Sequence, residues 1–126
     1  MNRHKAREKA FQTLFQLDMN EDEVSLAMES LKEEERKDVF LSMLIEGVIT
    51  YKETIDLKIS ENLEKWSLER VASVERTILR LAVYELLYME DIPQNVTINE
   101  AVELAHTFGD EQSGKFINGV LSKVIS

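Results

Sequence analysis

The chain has 126 residues, a net charge of −9 and no cysteine, which suits one domain and excludes disulfides and thiolate metal sites. Four glycines and one proline leave few turns, so long helices are favoured over an all-β fold. No stretch approaches the roughly 20 apolar residues of a membrane span, and no apolar leader follows the early cations. We therefore expect a cytoplasmic, single all-helical domain over residues 1–126, without a membrane segment.

The first predicted element is a helix over residues 3–17. Its apolar residues keep helical spacing: Ala6, Ala10, Phe11, Leu14 and Phe15. Residues 1–9 contain four cations and one carboxylate, so this stretch is net positive on an acidic chain. Positive charge opposes the helix dipole there, which weakly indicates an anionic ligand. On charge alone, an ordinary solvated helix start remains the more common explanation.

The next stretch combines an acidic segment with a long apolar repeat. Residues 18–38 carry only a short apolar stripe, which predicts a brief helix between loops. Apolar side chains then recur every three or four residues, which predicts one helix over about 36–60. Gly47 within it predicts a close helix crossing. Trp66, in the short element that follows, is predicted to fill the core between subdomains.

Residues 74–89 are predicted to form the central helix of the domain. Their apolar stripe extends well past a third of the helix circumference. A surface helix does not need so broad an apolar face, whereas a helix packed on two or more sides does. We therefore expect the other elements to cover this helix.

Two helices are predicted after the central one. Pro93 ends the central helix, and the T-x-x-E spacing of Thr97 and Glu100 predicts a capping box that opens the next. Gly109 is expected to end that helix. The last helix is predicted from about Gln112, with an apolar face along one side and Phe116 at its edge.

The sequence offers little for catalysis or metal binding. Glu103 and His106 have the Glu-x-x-His spacing of di-iron bundles, but such a site needs a second pair, and the only other histidine is His4. No nucleophile elbow, Walker A loop or Rossmann glycine pattern occurs. We expect no enzymatic activity, no metal and no cofactor.

The basic start and the edge of the last helix together hold what single-stranded RNA requires. RNA is bound by cations on phosphates, by an aromatic ring under a base, and by amides or hydroxyls at base edges. The last helix offers these groups: Gln112, Ser113, Lys115, Phe116 and Asn118. Each has a simpler alternative, since Phe116 could be a core residue and Lys115 a solvated charge.

Five motifs resemble one known family. They are Ala-Arg-Glu at 6–8, Val-Glu-Arg-Thr-Ile-Leu-Arg-Leu-Ala-Val-Tyr-Glu-Leu at 74–86, Asp-Ile-Pro at 91–93, Ile-Asn-Glu-Ala-Val-Glu-Leu-Ala at 98–105 and Phe-Gly-Asp-Glu-Gln-Ser-Gly-Lys-Phe-Ile-Asn-Gly-Val-Leu at 108–121. In order and spacing they resemble the NusB transcription antitermination family over nearly the whole chain. The resemblance implies an all-α, NusB-like compact bundle of about six to seven helices, built as two packed three-helix units.

The resemblance also implies a function. Proteins of this family bind boxA single-stranded RNA of ribosomal RNA leaders together with NusE, a ribosomal protein, and join the RNA polymerase antitermination complex. By position, the RNA-binding residues implied here are Arg3, His4, Lys5, Arg7, Gln112, Ser113, Lys115 and Phe116. The implied NusE-binding residues are Phe15 and Glu75. We expect a monomer or weak homodimer.

Two departures from the family pattern bear on affinity. His4 and Lys5 stand where arginine could stand, which should weaken RNA binding, and Gln112 stands where an acidic residue can occur, which should partly restore it. Two other interpretations stay open. The chain could be a protein-only helical adaptor or homodimer, or a stand-alone relative of the NusB-like domain of ribosomal RNA methyltransferases; with no cofactor-binding glycine loop, it is not expected to be the whole enzyme.

Overall fold

The computed structural model describes residues 1–20 and 24–126, the side chains of Met19 and Asn20 excepted. Within this part all regular structure is helical, which confirms the predicted fold class. The elements are α1 Arg3–Asn20, α2 Val24–Glu29, α3 Glu33–Arg36, α4 Val39–Thr50, α5 Lys52–Glu61, a 3₁₀ turn Leu68–Arg70, α6 Ser73–Tyr88, α7 Gln94–Phe108 and α8 Ser113–Ile125. In the same ranges, no helix is both long and apolar enough to cross a membrane.

Helix α6 is the centre of the bundle, as its broad apolar stripe predicted. It packs against α1, α4, α5, α7 and α8. Its residues Ile78, Leu79 and Val83 are fully buried. Helices α1, α4 and α6 pack on one another, as do α6, α7 and α8, so α6 belongs to both groups of three. Helix α6 therefore connects the group of α1 and α4 with the group of α7 and α8.

The helix predicted over about 36–60 is divided in two, and that prediction was wrong. Tyr51 leaves helical geometry with φ −105° and ψ 20°. The backbone hydrogen bonds nevertheless continue across it, from Tyr51 N to the Gly47 carbonyl at 3.0 Å and from Ile55 N to the Tyr51 carbonyl at 2.9 Å. The bend lets α4 pack on α1 while α5 packs on α8. Because the hydrogen bonds continue and the apolar repeat is unchanged, the sequence pattern does not mark this bend.

The acidic segment also holds more structure than predicted. Two short helices, α2 and α3, stand where one brief helix was expected, so eight α-helices occur in the described residues against the six or seven implied. Residues 21–23 belong to this segment and lie outside the described residues. Asp38, the last residue of this segment, caps the start of α4, because the Leu41 amide donates to its Oδ1 at 2.9 Å.

Gly47 marks the close crossing that its position in α4 predicted. A Cβ added to this residue would lie 2.1 Å from Cζ of Tyr84 on α6. Real side chains do not approach so closely, so the ring of Tyr84 occupies the space that any larger residue would need. This contact fixes α4 against the central helix.

Two local predictions failed for different reasons. Trp66 is 57% exposed rather than part of the core. Helix α7 begins at Gln94, directly after Pro93, so Thr97 lies inside the helix and does not cap it. Thr97 is buried instead, and its hydroxyl donates to Oε1 of Glu85 at 3.0 Å. A buried carboxylate requires donors, and this one recruits them from a neighbouring helix.

Candidate nucleic-acid interface

The opening turn of α1 presents two exposed cations. Asn2 caps the helix, since its Oδ1 accepts from the Lys5 amide at 2.8 Å. Arg3 is exposed, and its guanidinium lies 4.6 Å from the centre of the Phe40 ring. Lys5 is exposed as well and lies 3.2 Å from a carboxylate oxygen of Glu8. Both side chains can reach a ligand in solvent without disturbing the helix packing.

Arg7 occupies a different environment, although it lies one turn from Arg3. Its side chain is only 4% exposed. It donates to both carboxylate oxygens of Glu85 on α6, from Nε at 2.9 Å and from Nη2 at 2.8 Å. Its Nη1 also lies 3.5 Å from Oε1 of Glu100 on α7. The sequence-based assignment of Arg7 to RNA therefore needs correction: its guanidinium joins three helices and does not face solvent.

His4 lies beside Glu100, a residue that the sequence had placed in a capping box. Its Nδ1 is 2.9 Å from Oε2 of Glu100, and its Nε2 is 3.9 Å from Glu8. The hydrogen bond to Glu100, with the charge of that carboxylate, raises the pKa of His4 above its usual 6.5. His4 thus takes up a proton more readily. Glu100 contacts both His4 and Arg7 through its two carboxylate oxygens. No local pattern pointed to this role for Glu100.

The start of α8 forms the second cluster. Asp110 caps it, because its Oδ1 accepts from the amides of Gln112 at 2.8 Å and Ser113 at 3.2 Å. Ser113 is 1% exposed, and its hydroxyl accepts from the Asp110 amide at 3.0 Å. Gln112 and Lys115 are exposed, and Phe116 is half-buried. The predicted ring packs against the core on one side and is partly accessible on the other, whereas Ser113 serves the helix start and has no free face.

Helix α7 spans the space between the two clusters. His4 contacts Glu100, and Gly114 on α8 lies so close to His106 that an added Cβ would be 2.9 Å from its Nε2. Glu100 and His106 are six residues apart, or about 9 Å along the helix. The opening turn of α1 and the start of α8 thus lie close enough for one nucleotide chain to contact both.

The exposed surface between the clusters carries Glu103 and His106. Their side chains form an exposed pair with 3.8 Å between Nδ1 and Oε1. No group of three or more histidine, aspartate or glutamate side chains with metal-binding geometry occurs in the described ranges 1–20 and 24–126. The exposed pair and the partly buried Glu100 thus lie on the surface of α7 between the two clusters.

The two residues implied for partner binding lie on different helices, Phe15 on α1 and Glu75 on α6. Phe15 is half-buried and stacks on Phe11 with 5.6 Å between ring centres, while Phe11 stacks on Phe108 at 4.5 Å. Glu75 is half-buried at the start of α6, and its Oε1 lies 3.2 Å from the Ser113 hydroxyl. Glu75 therefore borders the candidate RNA surface of α8.

Fold and surface together define a class: a small all-helical protein that displays cations and an accessible aromatic ring on an acidic body. The sequence profile of the NusB family matches residues 4–126, and the chain belongs to the NusB family. It is 71% identical to the transcription antitermination protein NusB of Oceanobacillus iheyensis over 126 residues, covering 100% of both chains.

Solved structures of NusB proteins also superpose on this chain. A crystal structure of T. maritima NusB superposes with a TM-score of 0.88 at 41% identity, covering 98% of this chain and 90% of that one. A chain in the solved complex of antitermination factors NusB and NusE with double-stranded RNA superposes with a TM-score of 0.83 at 29% identity, covering 98% and 97%. Both likenesses extend over almost the entire chain.

Proposed function

We propose that this protein is a transcription antitermination factor of the cytoplasm that binds boxA single-stranded RNA of ribosomal RNA leaders together with NusE. In this role it joins the RNA polymerase antitermination complex and catalyses no reaction. The relative with 71% identity bears the name transcription antitermination protein, and a structural neighbour was solved with NusE and RNA. The observation that carries the proposal is the accessible pair of clusters at the starts of α1 and α8.

The RNA-binding residues divide into contacts and supports. Arg3, Lys5 and Lys115 are exposed and supply cations for phosphates, and Phe116 supplies a ring on which a base stacks. His4 adds a cation when protonated, and Gln112 offers an amide to a base edge. Arg7 and Ser113 are buried and act indirectly, because they hold α1 and α8 in place.

This surface explains why a second protein is needed. Three permanent cations neutralise about three phosphates, and for single strands this gives a slope of log K against log salt of only about −2. Glu100 and Glu103 lie between the clusters and repel phosphates. The body as a whole carries a net charge of −9. We therefore expect the protein alone to bind RNA weakly at physiological salt.

The partner surface adjoins the RNA surface at Glu75. Since Ser113 bonds to Glu75, a protein docked over Phe15 and Glu75 reaches the start of α8 and the RNA bound there. A basic ribosomal protein such as NusE suits this acidic body and adds its own phosphate contacts, which raises the affinity for RNA.

Fluorescence anisotropy of labelled boxA RNA tests the proposal. The protein is titrated alone and with NusE, against boxA RNA and against a scrambled RNA of the same composition. We expect weak binding alone, tighter binding with NusE, and a preference for boxA. Equal affinity with and without NusE, or for both RNAs, would contradict the proposal.

Sedimentation separates the alternative roles. We expect a monomer or weak homodimer whose mass increases when RNA and NusE are added. A stable homodimer that ignores RNA would favour a protein-only adaptor whose basic helix opening is covered in the interface.

A further inference from the structure

An open groove lies beside Phe116. One wall is the irregular segment of residues 62–66, and the other is the outer face of α8 between Lys115 and Lys123. The groove has a volume of about 250 Å³, and Trp66 and Phe116 both line it. The same two rings line a second hollow of about 340 Å³ towards Glu75 and Gln112. Trp66 thus lines two hollows together with the ring that the proposed function assigns to a base.

The two aromatic residues are available to a ligand. Trp66 is 57% exposed, although tryptophan is usually well buried. Phe116 is half-buried at the opposite wall. Between them α8 contributes Gly119, where an added Cβ would meet no atom within 4 Å. The bottom of the groove is therefore open and free of side chains at this point.

The charge of the groove favours a polyanion. Its lining includes Lys65, Lys115 and Lys123 against one carboxylate, that of Glu64, so it is net positive on a chain of net charge −9. Glu64 and Lys123 form an ion pair across the groove. Both partners are exposed, and such pairs contribute little to stability, so a phosphate can replace Glu64 on Lys123 at small cost.

We propose that Trp66 and Phe116 form a two-ring stacking platform that extends the RNA-binding surface beyond the start of α8. Successive bases stack on the two rings while Lys65 and Lys123 contact the phosphates, the combination typical of sequence-tolerant single-strand binding. The inference rests on the proposed function, since Phe116 and Lys115 belong to both surfaces. It adds a residue, Trp66, to which neither the family motifs nor the periodicity assigned a ligand.

Trp66 is the only tryptophan of the chain, so the tryptophan fluorescence of this chain reports on the surroundings of this one ring. We expect single-stranded RNA, added to the protein with NusE, to quench the tryptophan emission of this chain saturably, at the RNA concentrations that raise the anisotropy of a labelled RNA. Any tryptophan in the partner is replaced by phenylalanine for this measurement.

Variants give the second arm of the test. Trp66→Ala should weaken RNA binding by about fivefold or more, since stacking contributes about 1 to 3 kcal/mol per base. Trp66→Phe, which retains a ring, should weaken RNA binding by less than half as much as Trp66→Ala does. Leu57→Ala is the matched control, because Leu57 is 62% exposed and lies on α5 outside the groove. All three variants should melt within a few degrees of the parent protein.

Each contrary outcome is distinct. If labelled RNA binds but the Trp66 emission stays constant and Trp66→Ala binds normally, the platform is overturned and the proposed function stands. If NusE alone quenches the emission and Trp66→Ala weakens NusE binding without RNA, the groove is a protein-docking surface and the platform is again overturned. If no RNA binds under any condition, both proposals fail.

Discussion

Arg3 and Arg7 lie one turn apart on α1 and differ in what they do. Arg7 is paired with buried Glu85, and removal of one partner from a buried pair costs about 3 to 5 kcal/mol. Arg3 is exposed, so its loss should change the unfolding free energy by less than about 0.5 kcal/mol. We expect Arg7→Ala to be strongly destabilised, and Arg3→Ala to fold normally and bind RNA more weakly. Urea unfolding and RNA anisotropy measure the two effects.

The opposite result would restore the sequence-based assignment of Arg7. If Arg7→Ala kept the parent stability and lost RNA affinity, its guanidinium would have to leave Glu85 and contact RNA. The double variant Arg7→Met with Glu85→Leu supplies the control. Because it removes both charges together, it should recover much of the stability that Arg7→Ala loses.

His4 should make RNA binding depend on pH. Glu100 raises the pKa of His4 above 6.5, with smaller effects from Glu8, which raises it, and Lys5, which lowers it. A raised pKa means that the protonated form contributes stability below 6.5 and that this contribution is lost as pH rises through the higher value. The same protonation adds a cation for phosphate. RNA affinity should therefore rise on acidification from about pH 8 to about pH 6.

His4→Gln is the control for this pH dependence. It keeps a polar side chain of similar reach but does not titrate, so its RNA affinity should stay nearly constant across the same range. An identical pH profile in the variant and the parent protein would show that another group is responsible.

At the scale of whole helices, two glycines form a matched pair. Gly47→Ala places a methyl group 2.1 Å from Cζ of buried Tyr84, and overpacking of this kind costs about 1 to 3 kcal/mol. Gly119→Ala meets no atom within 4 Å, so the higher helix propensity of alanine should stabilise the protein by about 0.5 to 1 kcal/mol. Thermal unfolding should shift in opposite directions. A stabilising Gly47→Ala would contradict the close crossing of α4 and α6.

Features that repeat along one helix were predictable from the sequence. The apolar stripe of α6 required several packing neighbours, and Gly47 required a close one, because both requirements act over neighbouring turns. The bend at Tyr51 was not predictable, since the hydrogen bonds continue across it and the apolar repeat does not change. The capping box predicted at Thr97 and Glu100 was wrong because T-x-x-E spacing also occurs inside a helix.

The candidate site was predictable only in part. The cations near the starts of α1 and α8, and the ring near the start of α8, could be named from the sequence. Which of these side chains are exposed could not be predicted. Arg7 and Glu85 are 78 residues apart, so no local pattern shows that they pair. Trp66 misled because a large aromatic residue is usually buried, and only the packing of residues 62–66 beside α8 leaves it in solvent.

For the molecule as a whole, charge distribution decides how RNA is bound. A small cationic surface on a body of net charge −9 should give a shallow salt dependence, with a slope of log K against log salt of about −2 for the protein alone. With NusE bound the slope should become steeper, because a basic partner adds phosphate contacts. Anisotropy titrations at several salt concentrations measure both slopes. Equal slopes would mean that NusE contributes no cations to the bound RNA.

The central claim is that one RNA strand contacts the starts of both α1 and α8. Backbone NMR of the isotope-labelled protein, titrated with boxA RNA in the presence of unlabelled NusE, tests it most directly. Compared with the NusE-bound protein, we expect RNA to shift the amide signals of residues 3–6 and 112–119 together, with smaller shifts along the surface of α7 between Glu100 and Thr107. Shifts confined to one helix start, or to surfaces elsewhere such as α5, would contradict it.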